Sequence, residues 1–107
     1  MLEGLFKVLF ETPMGSGAGV VTLQGGRITG GDSAMFYEGS YTQEEDRFVA
    51  NVTTGRHTSS PSFENVFGRD RVQVDISGTV KGDAFSGRGQ SPDAPGIPLT
   101  VSLTKLS

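Results

Sequence analysis

The chain contains no cysteine, which excludes disulfide bridges, zinc-thiolate sites and a cysteine nucleophile. A cysteine-free chain suits a reducing compartment, so a cytoplasmic protein is expected. No secretory leader is expected either: Met1 to Phe10 has no basic start, and Glu3 and Lys7 interrupt its apolar residues. No window is long and apolar enough to span a bilayer, so no membrane partner is expected. Histidine occurs once, as His57 in the Ser/Thr-rich stretch Thr53 to Ser60. A catalytic triad needs a base, an orienting acid and a nucleophile brought together. Nothing near His57 marks such a set, so it reads as a solvated loop residue and the chain as non-enzymatic. Zinc has no ligand set here. Glu44, Glu45 and Asp46 are the remaining cation candidates, but they lack the alternating ligands and central glycine of a calcium loop. No metal and no other cofactor is therefore expected.

Clustered positive charge is scarce as well. Nine basic residues against twelve acidic ones give a net charge of −3, and the basic residues are scattered. Arg69 and Arg71 are the nearest pair, with Asp70 between them. Direct nucleic-acid binding, which draws on a basic patch, is not expected.

What the chain has in quantity is turn chemistry. Its 107 residues make one domain, and its 16 glycines and 5 prolines fall between short apolar runs, which argues for turn-rich β structure. A first strand, Leu2 to Glu11, puts Leu2, Phe6, Val8 and Phe10 on one face. Glu3, Lys7 and Glu11 share the other face with Leu5 and Leu9. Thr12 to Gly17 reads as a turn. Gly15-x-Gly17-x-Gly19 is not a phosphate loop, because Val20 stands where a further glycine is needed and a β-like run follows instead of a helix. Strands are expected at Ala18 to Gln24 and Arg27 to Gly30, joined by the tight turn Gly25-Gly26. In Gly30-Gly31-Asp32 the glycines are read as supplying positive φ and the aspartate as capping the turn.

Ala34 to Tyr41 follows as a strand, with Met35, Tyr37 and Tyr41 on one face and Phe36, Glu38 and Ser40 on the other. Thr42 to Asp46 is an acidic turn, and Arg47 to Thr54 returns. Ser60 to Gly68 reads as a short helix with Phe63, Val66 and Phe67 in one stripe. The last strands are Arg71 to Val80, Ala84 to Gln90 and Pro98 to Leu106. Eight short strands with hairpin-length connections and one short helix predict an all-β fold, an antiparallel up-and-down barrel closed by its first and last strands. A sandwich would show the same pattern.

The motif Ile28-Thr29-Gly30-Gly31-Asp32, followed by Tyr37-Glu38-Gly39 and an acidic turn, resembles the GrlR-like family of negative regulators, repressor partners in bacterial type III secretion control. Glu3 to Phe10 is similar to that family's first strand; the second half of the chain matches in strand pattern. The resemblance implies a small calycin-like β-barrel that forms a homodimer. It also implies that the acidic run engages a transcriptional activator. Here the run is Gln43-Glu44-Glu45-Asp46, so Gln43 departs from an all-acidic version.

Two functions follow as expectations. In the first, the chain is a regulatory module that sequesters a basic activator through Gln43, Glu44, Glu45 and Asp46, with Leu5, Leu9 or Phe36 supplying apolar contact between subunits. Three adjacent acids steer encounter with a positive partner, although a solvated hairpin turn accounts for them too. In the second, the barrel carries a small apolar ligand in the lipocalin manner. Phe6, Phe10, Met35, Phe48, Phe63 and Phe67 would line the cavity, with the short helix as its lid.

Overall fold

In the computed structural model, which describes residues 1–58 and 70–107, period-two alternation folds the chain into eight strands. These are β1 (Gly4–Thr12), β2 (Gly15–Gln24), β3 (Arg27–Gly31), β4 (Met35–Glu44), β5 (Arg47–Arg56), β6 (Arg71–Lys81), β7 (Ala84–Gln90) and β8 (Leu99–Lys105). Along β6, Val72, Val74 and Val80 are buried while Arg71, Gln73 and Asp75 are exposed, so the strand has one dry and one wet face. Each strand pairs antiparallel with the next, and β1 pairs with β8 from Phe6 opposite Lys105 to Glu11 opposite Thr100. The result is a closed barrel, in which none of the eight described strands is left as an open edge. The C-terminus reinforces the seam: the Leu5 amide donates to the Ser107 carbonyl at 2.9 Å, and the Leu106 amide to the Leu5 carbonyl at 2.7 Å.

Strand direction gives the barrel two different ends. At one end lie the starts of β1, β5 and β7 and the finishes of β2 and β8. Their inward residues Phe6, Leu23, Phe48 and Phe85 are each no more than 2 % exposed. Tyr41 stacks on Phe48 with ring centroids 5.2 Å apart, and Phe48 meets Phe85 at 4.8 Å. Burying each phenylalanine contributes roughly 1.5–3 kcal/mol, and each ring pair adds about 0.5–1.5 kcal/mol. This end is a packed floor. At the other end lie the β1–β2 turn, the β3–β4 connection, and the residues where β5 finishes and β6 begins.

Three local expectations are corrected. The first turn shrinks to Pro13–Met14, and Gly15 to Gly17 belongs to β2, with Thr12 opposite Gly15. Gly17 faces inward under Phe10; a Cβ there would come within 2.7 Å of the Phe10 ring, so the glycine makes room for an aromatic ring from the neighbouring strand. Gly30 and Gly31 lie in β3 and do not have positive φ. Gly30 serves close approach instead, since a Cβ would sit 2.1 Å from the Val20 carbonyl oxygen. Finally, β4 continues through Thr42 and Gln43 to Glu44, which pairs with Arg47, so the acidic turn is only Glu45–Asp46. The glycine turn at Gly25–Gly26 forms as expected, with φ of 58° and 81°. The helix expected over residues 60–68 lies outside the described residues.

Candidate functional site

The acidic tip projects from the floor end, and its geometry is held from three sides. Inward-facing Tyr41 donates its hydroxyl to the Leu2 carbonyl at 2.6 Å. Two residues on, the Gln43 side chain accepts the Leu2 amide at 2.8 Å and donates to the Glu45 carbonyl at 2.8 Å. Beyond the turn, the Asp46 carbonyl accepts the Val80 amide at 2.7 Å, which ties the tip to the end of β6. Gln43 is therefore a strut, half-buried, and not part of the charged surface. Glu44, Glu45 and Asp46 are exposed, and among the described residues none of them makes an ion pair. Glu45 has φ 55°, the only positive φ at a non-glycine among the described residues. Left-handed backbone at such a residue costs on the order of 1–2 kcal/mol.

The opposite end contains a cavity of about 340 Å³. This sits at the lower end of the range for small-molecule sites. Its wall is apolar, with Val21, Ile28, Met35, Val74 and Leu99, and its floor is Phe48 and Phe85. Of the cavity residues expected from sequence, Phe10, Met35 and Phe48 line it. Phe6 does not: it lies deeper, fully buried in the packed end. Phe63 and Phe67 lie outside the described residues. The glycines of β2 make room for aromatic rings from other strands at the edge of this cavity. A Cβ on Gly19 would meet the Tyr37 hydroxyl at 2.8 Å, so Gly19 admits Tyr37 as Gly17 admits Phe10. The two rings meet edge to face at 6.0 Å.

One polar cluster interrupts this apolar interior. Asp32 Oδ1 accepts the amides of Ala34 and Met35, each at 2.8 Å, which is the turn cap expected from sequence. Its other oxygen accepts the Tyr37 hydroxyl. Burial, followed by the hydrogen bond to Asp32 and that carboxylate's charge, pushes the Tyr37 phenol well above its ordinary value, so it stays protonated. Sequence reading placed Tyr37 in the core and Asp32 in a turn without joining them. The available signal was that a buried tyrosine hydroxyl needs a partner and the turn cap lies five positions away.

His57 is exposed yet held. Its Nε2 lies 3.0 Å from the Asp32 carbonyl, which can only accept, so Nε2 carries the proton. Nδ1 lies 2.7 Å from the Thr58 hydroxyl. The ring pins the end of β5 to the β3–β4 connection; its hydrogen bonds go to a backbone carbonyl and a hydroxyl. Among the described residues no group of three or more His, Cys, Asp or Glu converges to hold a metal ion. Among them, too, no helix is long and apolar enough to cross a membrane.

The outer face of β1 carries Leu5 and Leu9, 38 % and 44 % exposed, and Val20 of β2, 42 % exposed, lies opposite Lys7 between them. Phe36 is not part of this patch. It stands on β4, three strands round the barrel, and its ring covers Gly55, where a Cβ would come within 2.4 Å of it. No family model matches the chain, and no curated protein matches it.

Proposed function

We propose that this chain is a non-enzymatic regulatory module of the GrlR-like kind, acting in the cytoplasm by sequestering a basic transcriptional activator on its acidic tip. Glu44, Glu45 and Asp46 supply the charge, and Gln43 holds them in place. The observation that carries the reading is Glu45 at φ 55°. A solvated two-residue turn favours glycine or asparagine at such a position; a glutamate there accepts backbone strain to keep a third carboxylate in the run. The tip is also preorganised by Gln43 and by the Asp46–Val80 hydrogen bond, so little ordering is required when a partner docks. The scattered basic residues support sequestration of the activator over competition for its DNA. Self-association through the β1 face fits the same reading, with Leu5, Leu9 and Val20 exposed together.

The test is capture from the source cell's lysate by the native chain beside Glu44→Ala/Glu45→Ala/Asp46→Ala, both checked by circular dichroism. A DNA-binding activator retained by the native chain and lost by the folded variant supports the reading. Equal retention reduces the tip to a solvated turn.

A second reading rests on the cavity. An eight-stranded barrel has room for one small ligand when its interior side chains leave space, and here they leave about 340 Å³. On this reading the barrel carries a small apolar molecule. Solvent extraction and mass spectrometry of the purified protein would find it in stoichiometric amount.

A further inference from the structure

We propose that the barrel interior prefers apolar ligands whose polar end is a hydrogen-bond donor, an aliphatic alcohol or amine, over the matching carboxylate, because Asp32 and Tyr37 together leave only acceptors at the cavity's polar pole. This inference rests on the second reading above, in which the barrel holds an apolar ligand.

The argument is a count of donors and lone pairs. Asp32 Oδ1 accepts two backbone amides, from Ala34 and Met35, which fills it. Oδ2 accepts the Tyr37 hydroxyl and keeps one lone pair. Tyr37 has a single proton, and it points at Asp32, so the phenol oxygen can offer only a lone pair to anything else. Burial keeps that proton on the oxygen. Both members of the pair line the cavity, and Tyr37 is only 7 % exposed. No lysine, arginine or histidine is among the described lining residues. The rim hydroxyls, Ser16 and Ser33, are exposed, and half-buried Thr54, opposite Tyr37 in the β4–β5 register, adds a hydroxyl inside the barrel. A hydroxyl or ammonium entering the barrel finds an unused acceptor on Asp32 and another on Tyr37. A carboxylate finds only neutral hydroxyls and no countercharge among the described lining residues, and it must stand beside the like charge of Asp32.

The probes are n-octanol, octylamine and octanoate, which share one chain and differ at the head. Titration of the labelled native protein is followed by amide chemical shifts. The expected result is that octanol and octylamine shift the amides of Ala34 and Met35 and bind about tenfold or more tighter than octanoate. Asp32→Asn keeps a side-chain oxygen for the turn and presents an amide N–H₂ in place of Oδ2, so octanoate should gain and the gap should close. Octanoate binding the native protein as tightly as the other two, or a gap unchanged in folded Asp32→Asn, overturns the inference and leaves the carrier reading standing. Failure of all three probes to bind overturns both. If Asp32→Asn does not fold, the native series alone decides between these outcomes.

Discussion

The side-chain oxygen of Gln43 accepts the backbone amide of Leu2 at 2.8 Å, a contact between residues 41 positions apart that fastens the start of the chain to the acidic hairpin. Its amide nitrogen at the same time holds the Glu45 carbonyl. One side chain thus links the buried end of the barrel to the turn that carries the charge. Gln43→Ala removes both bonds and leaves the Leu2 amide without its partner; a loss of about 1–2 kcal/mol in urea unfolding is expected. Gln43→Glu keeps the acceptor toward Leu2 and loses only the donor toward Glu45, so it should cost less.

Glu45 sits at φ 55°, where glycine is at ease. Glu45→Gly should therefore raise stability, by roughly 0.5–1 kcal/mol on relief of the left-handed strain, offset in part by a freer unfolded chain. The same change should weaken capture of the basic partner. Opposite movement of unfolding free energy and binding is the expected pattern; loss of both, or gain of both, would separate the strain from the function.

Ala50 lines the cavity and is buried. Ala50→Leu adds carbon atoms to empty space, so stability should hold or rise by up to about 1 kcal/mol. Binding of n-octanol should disappear. Calorimetry of the variant, with and without the alcohol, checks both halves.

Alkaline pH should loosen the fold. Tyr37 and Tyr41 both have phenols pushed above their ordinary value of 10.0, each chiefly by burial. A group whose folded value is raised contributes its full stability below the unfolded value and loses it as pH climbs toward the folded one. Unfolding free energy should thus be flat with respect to these two groups below pH 10 and fall above it, because the unfolded chain ionises first. Tyr37→Phe should flatten that fall. Tyrosinate absorbance should appear together with unfolding, not before it.

The alternation in Arg71–Lys81 and Leu99–Lys105 made the later strands legible, because each strand is wet on one face only. Two strongly patterned terminal strands allowed the closure of β1 on β8 without distinguishing it from a sandwich; the pairing itself settles it. Parity gave the face of a side chain but not its depth: Phe6 and Phe10 point the same way along β1, yet one fills the floor and the other lines the cavity. Gly17 could not be told from a turn residue, because its reason is the Phe10 ring on the next strand. The acidic tip was legible as charge and misjudged in length, since Gln43 looks like a turn residue until Leu2 arrives to bond it. Asp32 and Tyr37 were each assigned correctly on their own; their joint position at the cavity emerges only when β3 and β4 are paired.

The measurement that bears most directly on the central claim is the dissociation constant of the captured activator for the native barrel and for the folded Glu44→Ala/Glu45→Ala/Asp46→Ala variant, at low and high salt. Sequestration through the tip predicts binding about tenfold or more weaker in the variant at low salt, with the difference shrinking as salt screens the carboxylates. Equal constants for the two proteins at every salt concentration would contradict it.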